Sequence, residues 1–308
     1  MVTSMNTGDF ASSSFKPGEL LWHYTDFKGM EGILAGNIWA SSLPYLNDMA
    51  EFRYGAEVAM EVLTRELQCA SGESSQYFAE LTNRVAKTLK ERYKPADVFV
   101  ASFSSEKDDL SQWRAYGGNG PSFSLGFDPR RLEDAAAKHL FGLHQVKYDD
   151  AHIREDVYAE LQDLIEEVKA SAEDESSDTA RTFASFWAPN VLGRLIFLAP
   201  RYKHPKFDAE KEWRLIRRQP LLGGGPILKH HFRRSGSLVV PYVELPLHVC
   251  KPSPEGWGSE LTDSALAAVV VGPSPHPEEV VFAVSEMIAR MGFGNVEICR
   301  TEVPFRNW

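Results

Sequence analysis

The chain has 308 residues, of which 43% are hydrophobic and 25% are charged, a balance typical of globular proteins that excludes a disordered chain, a collagen and a coiled coil. A chain of this length buries roughly three quarters of the surface of its unfolded form, so we expect a substantial core without disulfides. The formal charge is −10, opposite in sign to that of proteins that hold nucleic acid through bulk charge. A nucleic-acid contact therefore requires a local basic patch, for which the candidates are Arg214, Arg217, Arg218, Arg233 and Arg234.

The cysteines and the N-terminal segment bear on the cellular compartment. Cys69, Cys250 and Cys299 are odd in number and never stand in a CxxC spacing, which argues against a disulfide framework and a zinc knuckle. Residues 1–18 are rich in Ser, Thr and Gly and lack a basic start followed by an apolar run. No segment approaches the ~20 apolar residues of a membrane span. We predict a flexible leader over 1–18 and a cytoplasmic protein without membrane contact.

Strand-like and helix-like segments alternate irregularly along the rest of the chain. Strands are predicted at 19–25, 38–42, 97–104, 121–129, 267–273 and 295–305. Helices are predicted at 26–37, 43–68, 76–92, 110–117, 151–182 and 276–292.

Between the last two helices lie the apolar segment 185–204, in which Pro189 and Pro200 predict breaks, and two further segments, 207–218 and 236–245. This order lacks the regular alternation of a doubly wound sheet. We therefore predict one α+β domain over 19–308, with a mixed, largely antiparallel sheet and a helical insertion at about 130–206.

Polar residues inside strand-like segments are the main functional signal, because the chain contains no P-loop, HExxH or GxSxG motif. Each such residue costs free energy if it is buried without a partner. His23, Tyr24 and Thr25 end the first predicted strand, where a histidine is also common as a core residue. Asn47 stands where it can contact a ligand or cap the following helix.

A second group of candidates surrounds the strand at 97–104. Ser102 and Ser104 share one face of that strand, and Trp113 and Tyr116 lie three residues apart on one helix face. The two aromatic rings are compatible with a stacking wall for a planar ring and also with ordinary core packing.

The segment around residue 212 contains two nearby carboxylates. On a strand, Glu210, Glu212 and Arg214 project from one face. Two such carboxylates repel each other unless Arg214 or a ligand intervenes, so we expect one of them to have a raised pKa suited to acid–base catalysis. A solvent-exposed charge ladder is the alternative interpretation.

Taken together and in this order, the motifs resemble a family labelled domain of unknown function 2971. The segments that carry the resemblance are WHYT (22–25), ILAGNIWASSLPYLNDMAEF (33–52), SFSSEKDDLSQWRAYG (102–117), FSLGFD (123–128), EKEWRLI (210–216), VVVGP (269–273) and VPFR (303–306). The resemblance spans nearly the whole chain, and 130–206 carries no motif of the family.

The opening block also resembles the ADP-ribosyltransferases of the His-Tyr-Glu type, in which a strand ending in His-x-Thr, a short helix and a second strand follow one another. This resemblance implies an ADP-ribosyltransferase-like fold in which His23 holds the ribose and nicotinamide of NAD. It also implies that Trp113 or Tyr116 stacks on the nicotinamide, and that Glu212 or Glu210 stabilises the ribosyl cation or deprotonates the acceptor.

The chain departs from that pattern at two places. The second predicted strand carries Ser41 and Ser42, with Tyr45 beyond its end, rather than a tyrosine of its own. The paired glutamates are similar to the ExE motif of arginine-directed transferases, which use an arginine where this chain has His23.

We therefore expect Glu212 and Glu210 to be the catalytic residues. The residues expected to contact NAD, as the substrate, are His23, Tyr24, Thr25, Ser41, Asn47, Ser102, Ser104, Trp113, Tyr116 and Arg214.

The leading functional hypothesis is an NAD-dependent ADP-ribosyltransferase or NAD-cleaving glycohydrolase that acts on a nucleic-acid or protein acceptor, in the role of a bacterial toxin or phage-defence effector. One alternative is a metal-dependent nuclease or phosphoesterase in which Asp48, Glu51, Glu210 and Glu212 bind Mg²⁺. A second alternative is a non-catalytic nucleotide-binding module that uses the aromatic pair.

Overall fold

The structure of the protein is a computed structural model that describes residues 15–16, 18–46, 49–68, 74–91, 98–117, 120–173, 179–218, 229–247, 250–252, 259–261 and 264–304. In these ranges the chain is an α+β protein with a largely antiparallel sheet, as predicted. None of the helices described is both long enough and apolar enough to cross a lipid bilayer.

The elements are numbered in chain order. The strands are β1 Leu21–Asp26, β2 Asn37–Ser42, β3 Val98–Ser104, β4 Ser122–Phe127, β5 Gly142–Gln145, β6 Glu212–Arg218, β7 His231–Ser235, β8 Leu238–Pro246, β9 Cys250–Pro252, β10 Ser259–Leu261, β11 Leu266–Val271 and β12 Glu297–Arg300. The α-helices are α1 Phe27–Leu34, α2 Met49–Gln68, α3 Ser75–Glu91, α4 Leu110–Tyr116, α5 Pro129–Ala137, α6 Asp150–Glu173, α7 Ala180–Leu198 and α8 Pro277–Arg290. Short 3₁₀ helices span Leu43–Tyr45, Ala199–Arg201 and Pro205–Glu210.

The main sheet forks at β3. Its strand order is β12-β11-β4-β1-β3-β2-β8-β7, and β6 pairs with both β3 and β5. β6 pairs with every residue of β3, whereas on the opposite edge β2 pairs only with Phe99 and Val100, and β1 only with Ser104. Residues 101–103 therefore have no strand partner among the described residues on the edge opposite β6. On that edge β1 and β2 diverge, and a cleft opens between them.

Each face of the sheet is buried by a different set of helices. On one face, apolar residues of α1, α5 and α8 pack against the large core of the sheet. On the other face, α2 and α7 cover Val98, Val100 and Ile216. The helices α2, α3, α6 and α7 share a second core of their own, so they form a layer beside the sheet.

The predicted insertion at about 130–206 supplies only part of this helical layer. It contains α6 and α7, but α2 and α3 come from the segment before β3. It also contains β5, which pairs with β6 in the main sheet. The part of the insertion that adds a strand thus joins the sheet rather than standing outside it.

The helix break predicted at Pro189 differs from the structure. Pro189 lies inside α7, so the break predicted there is wrong. The burial of neighbouring residues such as Trp187 and Val191 in the helical core outweighs the roughly 3 kcal/mol cost of a proline in a helix. Pro200 does follow the end of α7. Phe15, in the predicted flexible leader, packs on the ring of Trp213 with 4.7 Å between ring centroids.

Gly55 allows α2 to approach the 3₁₀ helix Ala199–Arg201 closely. A Cβ atom at this position would overlap the backbone carbonyl of Ala199, which cannot rotate away as a side chain can. The close approach matters for the cleft, because the chain leads from this 3₁₀ helix directly to Lys203, which lines it.

We expect Gly55→Ala to lower the free energy of unfolding by about 2 kcal/mol, because overpacking outweighs the roughly 1 kcal/mol gain in helix propensity. The matched control is Gly32→Ala in α1, where a Cβ would lie at an ordinary 3.6 Å from the ring of Trp39. Urea unfolding of both variants measures the difference. Equal stability of the two variants would contradict the close approach of α2.

Candidate functional site

The fork in the sheet opens into a cleft of about 500 Å³, a size typical of small-molecule sites. One wall comes from β1, α1 and α4, and the other from β2 and β7. β3 forms the floor, and the turn from Lys203 to Glu210 closes one end together with β6. The predicted site residues that line this cleft are His23, Tyr24, Thr25, Ser41, Ser102, Ser104, Tyr116, Glu210, Glu212 and Arg214.

His23 fills the gap that the fork leaves beside β3. Its Nδ1 lies 2.8 Å from the carbonyl oxygen of Ser102, so Nδ1 carries the proton and donates it. Burial lowers the pKa of His23, and the charge of Arg233 lowers it further, against the opposing effect of the Ser102 carbonyl. The ring is therefore neutral at neutral pH, and Nε2 is the nitrogen left to accept a hydrogen bond.

Trp113 does not contact the cleft, so its predicted role in stacking on a ligand is wrong. Its side chain is 1% exposed and packs edge-on against Tyr24, with 4.8 Å between ring centroids. Its indole Nε1 donates to Asp108 Oδ1 at 2.6 Å. The buried indole therefore anchors α4 against β1.

Tyr24 joins β1 to the loop before α4. Its hydroxyl donates to the carbonyl of Glu106 at 2.7 Å and accepts from the amide of Asp109 at 3.0 Å. Both bonds hold the loop in place, so the phenol of Tyr24 supports the wall of the cleft.

Tyr116 is the aromatic residue of α4 that does line the cleft, and it is 43% exposed. Desolvation in the cleft, together with the nearby carboxylates of Glu212 and Glu210, raises the pKa of its hydroxyl. The phenol therefore stays protonated at neutral pH and can donate a hydrogen bond or present its ring to a ligand. Asn47, the remaining predicted contact, lies outside the described residues.

Glu210 is not part of the strand that carries Glu212, contrary to the predicted ladder. It ends the 3₁₀ helix Pro205–Glu210, and Lys211 adopts a left-handed backbone with φ of 43°. A single left-handed residue interrupts the extended chain, so β6 begins only at Glu212. The hydroxyl of Ser104 donates to the carbonyl of Glu210 at 2.9 Å and fixes this turn to β3.

Glu212 is buried between two cations. Arg214 Nε lies 2.7 Å from Glu212 Oε1, and Arg214 Nη2 lies 2.9 Å from Oε2. Lys203 Nζ lies 2.8 Å from the same Oε2. The side chain of Lys203 is 4% exposed, and the third arm of Arg214 donates to the carbonyl of Pro200 at 2.8 Å. This bidentate geometry is the strong form of a carboxylate–guanidinium pair.

The expectation of a raised pKa is therefore wrong for Glu212. Burial by itself raises its pKa, but the charges and hydrogen bonds of Arg214 and Lys203 outweigh burial and lower it to about 2. Glu212 is ionised at any pH near neutrality, so it cannot act as a general acid there. It can hold a negative charge in a fixed position.

Glu210 is the more accessible carboxylate. Its side chain is 33% exposed, and its Oε2 accepts from Lys203 Nζ at 2.6 Å. Among the described residues, its Oε1 has no hydrogen-bond partner. Lys203 therefore holds both carboxylates at the end of the cleft, with one oxygen of Glu210 available to a ligand.

Lys203 and Arg233 are two charged residues of the cleft that sequence reasoning did not place in the site. Lys203 follows an apolar helix, and nothing near it in sequence indicates that it faces two glutamates. Arg233 Nη2 donates to Ser41 Oγ at 3.1 Å, and no carboxylate of the described residues forms an ion pair with it. The sequence does contain a signal for Arg233. It lies on a strand in which side chains alternate between the two faces of the sheet, so its side chain can point into a cleft on one face.

The predicted arginine patch does not form on the surface. Arg214 and Arg217 are 4% and 0% exposed, since both point into the packed faces around β6. The side chain of Arg218 lies outside the described residues. Arg233 and Arg234 remain, and both line the cleft.

The described residues contain no group of three or more His, Cys, Asp or Glu side chains that could hold a metal ion. Asp48 and the side chain of Glu51, two ligands of the metal-site hypothesis, lie outside the described part of the chain. The other two ligands, Glu210 and Glu212, face cations instead.

Comparison with known families finds the family that the sequence resembles, over a shorter segment that includes 130–206, where no motif of the family was recognised. Residues 112–215 match the model of a family described as "Protein of unknown function (DUF2971)". The matched segment covers the end of the cleft that carries the two carboxylates. It includes Tyr116, Lys203, Glu210, Glu212 and Arg214. No curated protein matches the chain, and no solved structure does.

The pKa of Glu212 predicts how stability depends on pH. The pKa falls from an ordinary 4.5 in the unfolded chain to about 2 in the fold. The stabilisation is therefore complete above the unfolded pKa and is lost as pH falls toward 2. We expect the difference in unfolding free energy between wild type and Glu212→Gln to shrink by about 2 kcal/mol between pH 5 and pH 3.

Urea unfolding of both proteins at the two pH values measures this change. The control is Glu278→Gln, whose carboxylate pairs with Arg300 on the surface with 75% of the Glu278 side chain exposed. The difference in unfolding free energy between wild type and Glu278→Gln should stay nearly constant between the two pH values. A constant difference for Glu212→Gln as well would show that the cations do not lower the pKa of Glu212.

Proposed function

We propose that the protein cleaves the bond between ribose and nicotinamide in NAD and transfers the ADP-ribosyl group to an acceptor. Transfer to water is NAD glycohydrolysis, and transfer to a macromolecule is ADP-ribosylation. The observation that carries this proposal is that His23, Tyr116 and Glu210, far apart in sequence, line one cleft at the fork of the sheet.

The carboxylates at the end of the cleft suit this reaction. When nicotinamide leaves with the electron pair of the broken bond, positive charge develops on the ribose. A carboxylate fixed in a cleft stabilises that charge without reorganising. Glu210 offers an open oxygen for this role, and Lys203, which also pairs with Glu212, holds Glu210 in position.

His23 supports recognition of the sugar. Because Nδ1 donates to the Ser102 carbonyl, the neutral ring presents Nε2 as an acceptor, which is what a ribose hydroxyl requires. Tyr116 supports recognition of the nicotinamide, since its exposed ring lies next to the carboxylates.

The charge of the cleft favours a substrate with phosphate groups. The cleft is lined by the cations Lys28, Lys203, Arg214, Arg233 and Arg234, and by the acids Asp26, Glu210 and Glu212. Cations exceed acids here although the whole chain carries −10. The diphosphate of NAD matches Arg233, which has no ion-pair partner among the described residues.

The alternatives have less support. A Mg²⁺ site requires carboxylate oxygens that are open to the ion, whereas Lys203 and Arg214 occupy those of Glu212. A non-catalytic module gives no role to the open Oε1 of Glu210, which faces the cleft. An enzyme that consumes NAD or modifies a macromolecule fits the role of a cytoplasmic toxin or defence effector, which we include in the proposal.

The test measures, by chromatography, the release of nicotinamide from NAD by the purified protein. We expect Glu210→Gln to lower kcat about 100-fold with little change in KM, because a loss of roughly 3 kcal/mol of transition-state stabilisation has that size. Glu210→Gln is preferred over Glu212→Gln, since loss of a fully buried ion-pair member destabilises the fold. Glu278→Gln is the matched control and should keep full activity.

Two results would contradict the proposal. One is the absence of nicotinamide release together with the absence of label transfer from NAD to protein, DNA or RNA of a lysate. The other is a melting temperature that rises with Mg²⁺ in wild type but not in Glu212→Gln, which would favour the metal-dependent alternative.

A further inference from the structure

We propose that the hairpin of β7 and β8 binds an extended acidic segment of a partner protein, which adds to the sheet as a further strand along β7. This inference does not depend on the proposed function. It is carried by the free edge of β7, by the apolar side chains that the hairpin exposes and by the positive charge of the hairpin.

The hairpin extends beyond the neighbouring strand of the sheet. β2 pairs with residues 242–246 of β8, whereas β7 pairs with residues 238–242. In the described part of the sheet, residues 238–241 therefore have a strand partner only in β7, and β7 has one only in β8. A two-stranded hairpin is only marginally stable by itself. The edge of β7 presents backbone N–H and C=O groups that can pair with a further strand.

One face of the hairpin exposes apolar side chains. Phe232 lies opposite Pro241, and Arg234 lies opposite Val239. Because directly opposite residues and alternate residues of a strand share a face, these four side chains lie on one face. Arg233 belongs to the other face, which adjoins the cleft. Phe232 and Val239 are each 65% exposed, and neighbouring apolar side chains with this exposure are typical of an interaction surface.

The charge of the hairpin favours an acidic partner. Residues 229–243 contain Lys229, Arg233 and Arg234 and no Asp or Glu, in a chain with a formal charge of −10. No carboxylate of the described residues forms an ion pair with Arg233 or Arg234. Arginines on an edge strand deter pairing with a neutral or basic edge. An acidic strand supplies the complementary charge.

The alternation along β7 specifies the order of side chains in the partner strand. Cross-strand pairs favour an apolar residue opposite Phe232 and acidic residues opposite Arg233 and Arg234. The segment that fits therefore has an apolar residue next to two adjacent acidic residues, which point to opposite faces of the sheet. Main-chain hydrogen bonds to a free edge combined with contacts of alternate side chains are a common mode of peptide recognition.

A second copy of the chain and a nucleic acid match this surface less well. Pairing of β7 with β7 of a second copy brings the arginines of both copies together, and like charges that face each other destabilise a sheet. Of the four side chains on the exposed face, only Arg234 is cationic, whereas binding of a nucleic acid relies on several phosphate contacts. The aliphatic side chain of Val239 and the backbone edge of β7 match a peptide.

Binding is tested with a fluorescein-labelled peptide of sequence TTVEEVTT. The sequence is palindromic, so it matches β7 in either a parallel or an antiparallel orientation. Fluorescence anisotropy measures its affinity for the full-length protein. We expect TTVEEVTT to bind saturably. We expect roughly tenfold weaker binding of TTVKKVTT, which reverses the charge, and of TTVEEVTT with N-methylated backbone amides, which lacks the donors for strand pairing.

Two variants test the two parts of the surface. Phe232→Ala should weaken binding of TTVEEVTT roughly tenfold, because a valine of the peptide loses the apolar surface that it contacts. Arg234→Glu should weaken binding of TTVEEVTT and strengthen binding of TTVKKVTT, a reversal that unfolding of the variant would not produce.

The matched control is Phe282→Ala. The ring of Phe282 is 69% exposed, and it lies on α8, which packs against β11 and β12 at the opposite end of the sheet. This control should leave the affinity for TTVEEVTT unchanged. Thermal melting confirms that each variant is folded.

Binding of TTVEEVTT that both variants weaken, together with slower amide hydrogen exchange over residues 231–235, supports the proposal. Absence of saturable binding, or equal binding of the three peptides, overturns it. A dimer in sedimentation velocity that Phe232→Ala dissociates assigns the surface to a second copy. Tighter binding of a labelled single-stranded oligonucleotide, weakened by the same variant, assigns it to a nucleic acid. Either of these two results overturns the acidic protein partner.

Discussion

The buried ionic network of Lys203, Glu212 and Arg214 determines the shape of the cleft. Arg214 and Glu212 belong to the sheet, whereas Lys203 and the Pro200 carbonyl follow the last helix of the helical layer. The network thus joins the two layers. Loss of one member of such a buried group costs roughly 3–5 kcal/mol, because its partner remains charged and unpaired. Lys203 also reaches Glu210 and holds it at the end of the cleft.

The fork at β3 creates the space of the cleft, and it also leaves an open edge of β3 to which His23 forms a hydrogen bond. Residues 101–103 have a strand partner only on the side of β6, so their other edge would leave backbone groups without partners. His23 Nδ1 donates to the Ser102 carbonyl at 2.8 Å and so gives this carbonyl of the open edge a partner. The same bond fixes the tautomer of the ring, so the hydrogen bond that stabilises the fold also leaves Nε2 as an acceptor in the cleft.

Sequence patterns predicted the α+β class, and ten of the twelve predicted site residues line the cleft, because polar side chains at strand ends are visible locally. They did not distinguish Trp113 from Tyr116, since an i, i+3 spacing places both on one helix face while only packing shows that Trp113 is buried. They reversed the pKa of Glu212, because the bidentate contact of Arg214 and the approach of Lys203 from the preceding turn appear only in the folded chain. They also placed Glu210 on a strand, since a left-handed Lys211 has no sequence signal comparable to glycine.

We propose that the fork of the sheet is a site for NAD. A crystal structure of the protein with a hydrolysis-resistant NAD analogue shows where the dinucleotide binds. We expect the ribose to lie between His23 Nε2 and Glu210 Oε1, the nicotinamide to contact Tyr116, and the diphosphate to lie near Arg233. Density for the analogue outside the cleft, or a cleft that stays empty at saturating analogue, would contradict it.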